Sequence, residues 1–295
     1  MLRERQLDGT IYDKAAAAMA RIQTMAPIAE KIYGGYTVMV SGGKDSSVIA
    51  DLAIRAGVPC KFEVSWTGIE YPETVYFLRA EKKRIEEAGY LFEFVIPRDR
   101  EGKQVTMWSL IEKHGFPTRH MRFCCERLKE VAGRNAYCIL GIRWAESAKR
   151  KAGRFIHEIG GYKMMTNNDN EAARRMTENC MRKNKYMLNP IIDWKDDEVW
   201  EYIRERGLPY NPLYDRGHRR VGCIGCPMRA NRKELDENPR YAALYKKAAG
   251  KFLETRAKSR EGIKKDIDTY YQWWVDFCGG MRGGKNTVKG IAAGV

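Results

Sequence analysis

The chain has 295 residues, of which 44% are hydrophobic and 11% aromatic, a composition that allows a substantial core and excludes a wholly disordered chain. Its net charge of +15 favours an anionic partner, with a basic surface that merely faces water as the alternative. No apolar run approaches the roughly 20 residues that cross a bilayer, and the N-terminal stretch lacks an apolar signal core, so we expect a cytoplasmic protein with no membrane contact.

Hydrophobic periodicity predicts alternating strands and helices along most of the chain. An Ala-rich stretch from Ile11 to Tyr33 favours a helix that is broken or bent near Pro27. Strands are predicted at 36–40, 62–66, 91–96 and 137–142, helices at 46–55, 73–88, 126–131 and 196–206, and an extended element at 188–192. This alternation predicts an α/β fold with a parallel sheet, followed by a long loop at 207–228 and a helical segment at 234–277.

A short glycine-containing block, residues 41–46 (Ser-Gly-Gly-Lys-Asp-Ser), lies where a predicted strand gives way to a helix. We call it the glycine loop. Glycines let backbone amides approach an anion, and the helix N-terminus adds unpaired N–H groups beside the charge of Lys44. Asp45 is unfavourable beside phosphates unless it binds Mg²⁺ or caps the helix. The spacing matches neither a Walker A loop nor Gly-x-Gly-x-x-Gly. We predict phosphate binding, with a turn that only caps the helix as the alternative.

The glycine loop resembles the Ser-Gly-Gly-x-Asp-Ser signature of the PP-loop ATP pyrophosphatases, and further blocks narrow the resemblance to the phosphoadenosine phosphosulfate (PAPS) reductase family. These blocks are 67–74, 141–150, 189–194 with Val199 and Trp200, 210–215 and 222–226, in family order. The sequence departs from the family at Trp66, which replaces an Asp. The resemblance implies a Rossmann-like parallel sheet of the adenine nucleotide alpha hydrolase type, and ATP with Mg²⁺ as the bound nucleotide.

The resemblance also implies site residues. Backbone near Trp66 would meet adenine, while Arg143 and Arg150 would clamp phosphate oxygens, an ion pair with Glu146 being their alternative role. The expected catalytic residues are Lys44, Asp45 and Arg143. The expected nucleotide-binding residues are Ser41, Gly42, Gly43, Lys44, Asp45, Ser46, Trp66, Thr67, Gly68, Gly141, Arg143 and Arg150. The chain accordingly divides into an N-terminal helical segment (1–33), a nucleotide-binding α/β domain (34–206), and a cysteine-bearing loop with C-terminal helices (207–295).

Two cysteine pairs, Cys124 with Cys125 and Cys223 with Cys226, can supply four thiolates to one metal centre. We call these residues the cysteine quartet. Adjacent cysteines are unusual for tetrahedral zinc. Similar pairs hold a [4Fe–4S] cluster in the adenylylsulfate reductases that these blocks resemble, so the resemblance implies such a cluster. Zinc, redox-active thiols that carry persulfide, and four unliganded cysteines are the alternatives.

The reaction is predicted from two departures. Reductases of the family use a cysteine in a C-terminal Glu-Cys-Gly-Leu-His motif, which is missing here, and Cys278 has a different setting. Their phosphate loops tend to be degenerate, whereas the glycine loop is intact, which favours ATP. We expect an ATP pyrophosphatase that activates an acceptor for sulfur transfer and resembles the corresponding component of bacterial DNA phosphorothioation systems. A nucleic-acid acceptor suits the charge, and a sulfur-transfer partner protein is also possible. A sulfonucleotide reductase and a non-catalytic nucleotide- or DNA-binding subunit are the alternatives.

Overall fold

The structure, a computed structural model, describes residues 1–159, 165–166, 186–228, 233–259 and 266–278. The chain forms two compact units, each assembled from separate segments. The first unit comprises Met1–Ser65, Pro72–Val95 and Val131–Val221, and the second comprises Trp66–Tyr71, Ile96–Glu130 and Gly222–Val295. The predicted division into 1–33, 34–206 and 207–295 follows the order of the chain, whereas these units interleave along it.

The N-terminal residues fold differently from the prediction. Strands β1 (Arg3–Arg5) and β2 (Ile11–Asp13) pair antiparallel, and helix α1 (Lys14–Tyr33) starts only after them. The predicted helix start at Ile11 is therefore wrong, because the Asp13 carboxylate accepts two N–H groups of the first turn and caps the helix there. Pro27 lies inside α1 without ending it. The buried faces around it, including Met25 and Ile28, offset the hydrogen bond that a proline removes.

The main sheet belongs to the first unit. Its strands are β3 (Tyr36–Met39), β4 (Cys60–Ser65), β5 (Phe92–Val95), β6 (Tyr137–Ile139), β7 (His157–Ile159), β8 (Met165–Thr166) and β9 (Tyr186–Leu188). Within the described residues it has seven strands in the order β5-β4-β3-β6-β9-β7-β8. The pairs from β5 to β9 are parallel, and β7 and β8 add an antiparallel edge. The predicted α/β fold with a parallel sheet is confirmed, and the antiparallel edge was not predicted.

The helices follow the predicted alternation. They are α2 (Lys44–Ala56), α3 (Pro72–Glu87), α4 (Met107–His114), α5 (Ala148–Gly153), α6 (Asp196–Arg206), α7 (Lys233–Asp236), α8 (Pro239–Ser259) and α9 (Ile267–Cys278). The sequence missed α4 and α5, and where it predicted a helix at 126–131 the chain forms a single π-helical turn, Cys125–Lys129. Among the described helices none combines the length and apolar character needed to cross a membrane.

The strand order reverses its direction between β3 and β6, which are hydrogen-bonded neighbours with Tyr36 opposite Tyr137. Open α/β sheets bind ligands beyond the carboxyl ends of their strands at such a switch point. The glycine loop follows β3, and Gly141 and Arg143 follow β6. Topology therefore brings these two segments to one edge of the sheet.

The second unit has an aromatic core of its own. The rings of Phe116 and Trp274 stack with centroids 4.4 Å apart, and the Trp274 indole N–H donates to the carbonyl of Pro117 at 2.8 Å. The fully buried ring of Tyr245 packs against Trp274, and its hydroxyl donates to the carbonyl of Ile224 at 2.8 Å. The C-terminal helices are thus tied through Tyr245 to the segment that carries Cys223 and Cys226.

Candidate active site

The glycine loop closes on itself and leaves the start of α2 uncapped. Ser46 Oγ donates to the carbonyl of Gly43 at 2.7 Å and accepts the N–H of Ser41 at 3.2 Å. Gly43 is the N-cap of α2 and has no side chain to satisfy the helical N–H groups. Gly42 has a φ of 74°, in the left-handed region that glycine tolerates best. One glycine thus makes the turn, and the other begins the helix without a side-chain cap of its own.

A segment further along the first unit braces this loop. Asn211, which is buried, donates from Nδ2 to the carbonyl of Gly42 at 3.2 Å and to Thr74 Oγ1 at 3.0 Å. The hydroxyl of Tyr214 accepts the backbone N–H of Lys44 at 2.9 Å. That N–H belongs to the first residue of α2 and is of the kind that binds phosphate at a helix N-terminus. In this structure a tyrosine oxygen holds it.

Four charged side chains, Lys44, Asp45, Arg143 and Asp196, meet beside the loop, and we call them the charged cluster. Arg143 Nε donates to Asp45 Oδ1, and Arg143 Nη2 donates to Asp196 Oδ1 at 2.8 Å. Lys44 Nζ lies 3.0 Å from Asp196 Oδ1 and 3.6 Å from Asp45 Oδ2. The Lys44 and Arg143 side chains are only 4% and 3% exposed, so both cations are desolvated and need anionic partners.

Two pKa shifts follow from this clustering. Burial alone would raise the pKa of Asp196, but the hydrogen bonds and charges of Lys44 and Arg143 lower it below its ordinary value. Burial raises the pKa of Tyr214 to about 12, and the charges of Asp45 and Asp196 act in the same direction. Asp196 is therefore ionised at neutral pH, and Tyr214 keeps its proton.

Gly141 lets the segment after β6 approach the glycine loop. A Cβ atom added to Gly141 would lie 3.0 Å from the backbone oxygen of Asp45. Arg150, in contrast, pairs with Glu146, which also accepts a hydrogen bond from Arg220 Nη2 at 3.0 Å. Arg150 thus forms the ion pair with Glu146 that the sequence left as an alternative, whereas the guanidinium of Arg143 pairs with Asp45 and Asp196.

The cysteine quartet lies entirely within the second unit. Cys125 accepts a hydrogen bond from Arg122 Nη2 at 3.3 Å. The neighbouring thiol of Cys124, assisted by Arg122, lowers the pKa of Cys125 against the effect of burial. The neighbouring Cys125, together with burial, raises the pKa of Cys124, and the charges of Cys223 and Cys226 raise it further. The two pairs are therefore close enough to interact electrostatically.

The turn that carries Cys223 and Cys226 depends on Gly225. Its φ is 70°, and an added Cβ would lie 2.9 Å from the ring of Tyr245, so only glycine fits there without displacement. The N–H of Ile224 donates to the carbonyl of Ile69 at 2.8 Å, which fixes this turn against the loop that follows β4.

The residues after β4 lie against a cysteine. The Thr67 hydroxyl donates to Glu70 Oε1 at 2.6 Å, and Thr67 Oγ1 is 3.7 Å from Cys223 Sγ. Either atom of the Thr67–Cys223 contact can be the donor. Glu70 also accepts the N–H groups of Thr67 and Gly68. These residues and the half-buried Trp66 belong to the second unit, while the glycine loop belongs to the first.

The model of the phosphoadenosine phosphosulfate reductase domain matches residues 35–229, which include the glycine loop, Arg143 and the cysteine quartet. The chain belongs to the PAPS reductase family. The family resemblance inferred from the motifs is therefore confirmed.

Individual relatives of this PAPS reductase family member are distant in sequence. An uncharacterized protein of Methanocaldococcus jannaschii is 29% identical over 214 residues, covering 70% of this chain and 45% of the relative. The phosphoadenosine 5′-phosphosulfate reductase of Gloeobacter violaceus is 23% identical over 225 residues, covering 74% of this chain and 82% of that enzyme. A phosphate complex of phosphoadenylyl-sulfate reductase from Candida auris has a TM-score of 0.44 and 15% identity, covering 69% of this chain and 89% of the other. The chain spans less than half the length of the first curated relatives that it matches.

Three residues that contact the glycine loop or the charged cluster of this PAPS reductase family chain had no role predicted from the sequence. Asn211 and Tyr214 lie in the recognised block 210–215, but their hydrogen bonds to the glycine loop come from tertiary structure. Asp196 had no signal of its own, because acidic residues are common in the first turn of any helix. Lys44, Asp45, Gly141 and Arg143 are brought together as expected, while their roles toward a nucleotide stay predictions.

All four cysteines of the quartet lie among the described residues. Among them no three Cys, His, Asp or Glu side chains are grouped so that they could hold a metal ion. A cluster spreads its thiolates over several iron atoms, and the interacting quartet beside Arg122 and Lys129 fits that chemistry by donor type and charge.

A Gly42→Ala variant of this PAPS reductase family chain is expected to lose about 2–3 kcal/mol of unfolding free energy. The left-handed φ contributes part of the loss, and a Cβ placed 2.8 Å from Thr74 Cγ2 contributes the rest. Gly57→Ala is the control, because its φ is 66° with open space around it, and we expect a cost of about 1 kcal/mol. Urea denaturation measures both.

The double variant Gly42→Ala/Thr74→Ser separates the two contributions. Serine lacks the Thr74 methyl group but keeps the oxygen that accepts the Asn211 hydrogen bond, so it relieves the contact alone. We expect it to recover about 1 kcal/mol relative to Gly42→Ala. A double variant no more stable than Gly42→Ala would contradict the close approach of Thr74 to the glycine loop.

Proposed function

We propose that this chain is an ATP pyrophosphatase that activates an acceptor for sulfur transfer, with nucleic acid as the acceptor. The observation that supports it is the charged cluster: two desolvated cations, Lys44 and Arg143, lie beside the N-terminus of α2 at the switch point of a parallel sheet. Such a site is built for a polyanion, because its charges act with little screening by water.

The proposed chemistry has two displacements. An acceptor oxygen attacks the α-phosphorus of ATP, so that an oxygen–phosphorus bond forms while the bond to pyrophosphate breaks, and the acceptor carries AMP. A sulfur donor of the sulfide or persulfide class then forms the bond to the activated acceptor atom, and AMP leaves with the bonding electrons. The transferred sulfur replaces oxygen without net oxidation when it arrives as sulfide, and a persulfide donor requires a thiol reductant.

The protein contributes positioning and charge to the first displacement. Lys44 and Arg143 bind phosphate oxygens, and the N–H groups of the glycine loop and of α2 stabilise the charge that develops on leaving pyrophosphate. Mg²⁺ enters with ATP as part of the substrate, and Asp45 is the carboxylate of the glycine loop that suits an oxygen-preferring cation. These roles need no acid or base of unusual pKa.

The cysteine quartet is proposed to serve the sulfur side of the reaction. Its four thiols, with Arg122 and Lys129 nearby, suit a [4Fe–4S] cluster, whose chemistry when bound is electron transfer or the binding of sulfur. The net charge of +15 supports an acceptor such as DNA or tRNA, and a partner protein is the proposed source of sulfur.

Sulfonucleotide reduction is the second candidate, and the names of relatives favour it. Relatives named adenosine 5′-phosphosulfate reductase and phosphoadenosine 5′-phosphosulfate reductase match parts of this chain. In that reaction a thiol donor releases sulfite from the nucleotide, so no pyrophosphate forms. The intact glycine loop favours the first candidate, since a sulfonucleotide lacks the β- and γ-phosphates that such a loop accommodates.

One anaerobic assay distinguishes the two candidates. The purified chain is incubated separately with ATP, adenylylsulfate and PAPS, each with Mg²⁺, a thiol reductant and DNA or tRNA, and pyrophosphate and sulfite are measured. Pyrophosphate from ATP alone is the expected result. Sulfite from either sulfonucleotide, without pyrophosphate, would replace the proposal with the reductase. If neither product forms, the remaining interpretation is a non-catalytic nucleotide- or DNA-binding subunit.

A further inference from the structure

Both cations of the charged cluster are already engaged by carboxylates, but the two carboxylates are held differently. Asp45 is part of the glycine loop, its side chain is 21% exposed, and it accepts from Arg143 Nε. Asp196 comes from the first turn of α6, and its side chain is 65% exposed. One carboxylate is therefore fixed within the loop, while the other reaches in from the surface.

The single oxygen Oδ1 of Asp196 serves both cations. It lies 3.0 Å from Lys44 Nζ and 2.8 Å from Arg143 Nη2. A phosphate oxygen that bonds to both cations from the position of Asp196 Oδ1 would need the same N–H groups. Each N–H points in one direction and donates one strong hydrogen bond, so the phosphate and the carboxylate compete for it. Asp196 can turn away into water at little cost, since more than half of its side chain is already exposed.

We propose that Asp196 is a specificity-determining residue that acts as an internal anion, competing with ligand phosphate for Lys44 and Arg143 and leaving when a polyphosphate binds. Asp45 stays and keeps Arg143 oriented through Nε. The exchange keeps two buried cations paired at all times, so the site avoids uncompensated charge before and after binding. Only a ligand with several negative charges gains enough from both cations to displace the carboxylate.

This inference rests on the proposed function only in requiring that the glycine loop bind polyphosphate, and it is tested by binding rather than turnover. Inorganic pyrophosphate is titrated into the full chain by calorimetry in the presence of a chelator, so that no Mg²⁺ contributes. We expect Asp196→Asn to bind pyrophosphate about threefold to tenfold more tightly than wild type. The substitution removes a competing carboxylate, and the gain is modest because its ion pairs are partly exposed. Asp196→Ala is expected to shift affinity in the same direction.

Asp197→Asn is the matched control. Asp197 is the next residue in the same helical turn and is exposed, so its substitution removes the same charge from the same region. We expect it to change pyrophosphate affinity by less than about twofold, through screened long-range charge alone. The melting temperature of Asp196→Asn is expected to be lower than that of Asp197→Asn, because only Asp196 pairs with the buried Lys44 and Arg143.

Each outcome of this titration decides the inference. Tighter binding by both Asp196 variants but not by Asp197→Asn supports competition. Equal or weaker binding by the Asp196 variants would overturn it and make Asp196 a positioning residue for Arg143. If wild type binds neither pyrophosphate nor ATP, the proposed function fails, and the inference fails with it.

Discussion

Lys44→Ala is expected to slow pyrophosphate release from ATP at least about a hundredfold. Lys44 supplies a formal positive charge within the glycine loop, and its side chain is only 4% exposed, so water does not screen that charge from a bound phosphate. The charge that accumulates on the departing pyrophosphate would lose its nearest cation. Initial rates of pyrophosphate release at saturating ATP, with the acceptor present, measure the effect.

The fold should survive this substitution because the carboxylates of the charged cluster keep a partner. Arg143 still donates to Asp45 and to Asp196 after the lysine is removed. Lys83→Ala is the control: it removes the same charge from α3, where the lysine side chain is 80% exposed. Comparable rates for Lys44→Ala and wild type, at equal melting temperature, would show that the reacting phosphates bind elsewhere.

The sequence predicted the glycine loop well because its determinants are local. A buried strand, two glycines and a helix start occupy adjacent positions, so the strand–turn–helix arrangement follows from neighbours in the chain. The parallel sheet was predictable for a similar reason, since each strand and helix carries its own periodicity. The hairpin of β1 and β2 was missed because its strands are three residues long and lack a buried face.

Tertiary contacts explain what the sequence did not predict. Asp196 reads as an ordinary acidic helix start, and only the fold brings it to Lys44 and Arg143. The hydroxyl of Thr67 lies against Cys223 and donates to Glu70, contacts that the sequence did not predict, while its role at a nucleotide stays a prediction. The contacts of Asp196 with the cations and of Thr67 with Cys223 join distant segments, and neither composition nor spacing encodes them.

Cys223→Ser is expected to remove the iron and inorganic sulfide from protein purified without oxygen. A [4Fe–4S] cluster takes one thiolate per iron, so wild type is expected to carry about four iron atoms per chain, and the variant less than about one. Cys223 is held by two contacts: Thr67 Oγ1 lies 3.7 Å from its sulfur, and its backbone is bridged to that of Glu70. Iron and acid-labile sulfide per chain are measured together with visible absorbance.

Cys60→Ser is the matched control, since it makes the same atomic change outside the quartet. Cys60 lies in β4 of the first unit, and burial raises the pKa of its thiol to about 12, as expected for a protonated core residue. It should keep wild-type iron. Colourless wild-type protein that lacks iron and sulfide but still releases pyrophosphate would remove the cluster from the reaction. The quartet would then have to act through its thiols, of which Cys125 accepts a hydrogen bond from Arg122 and has a lowered pKa.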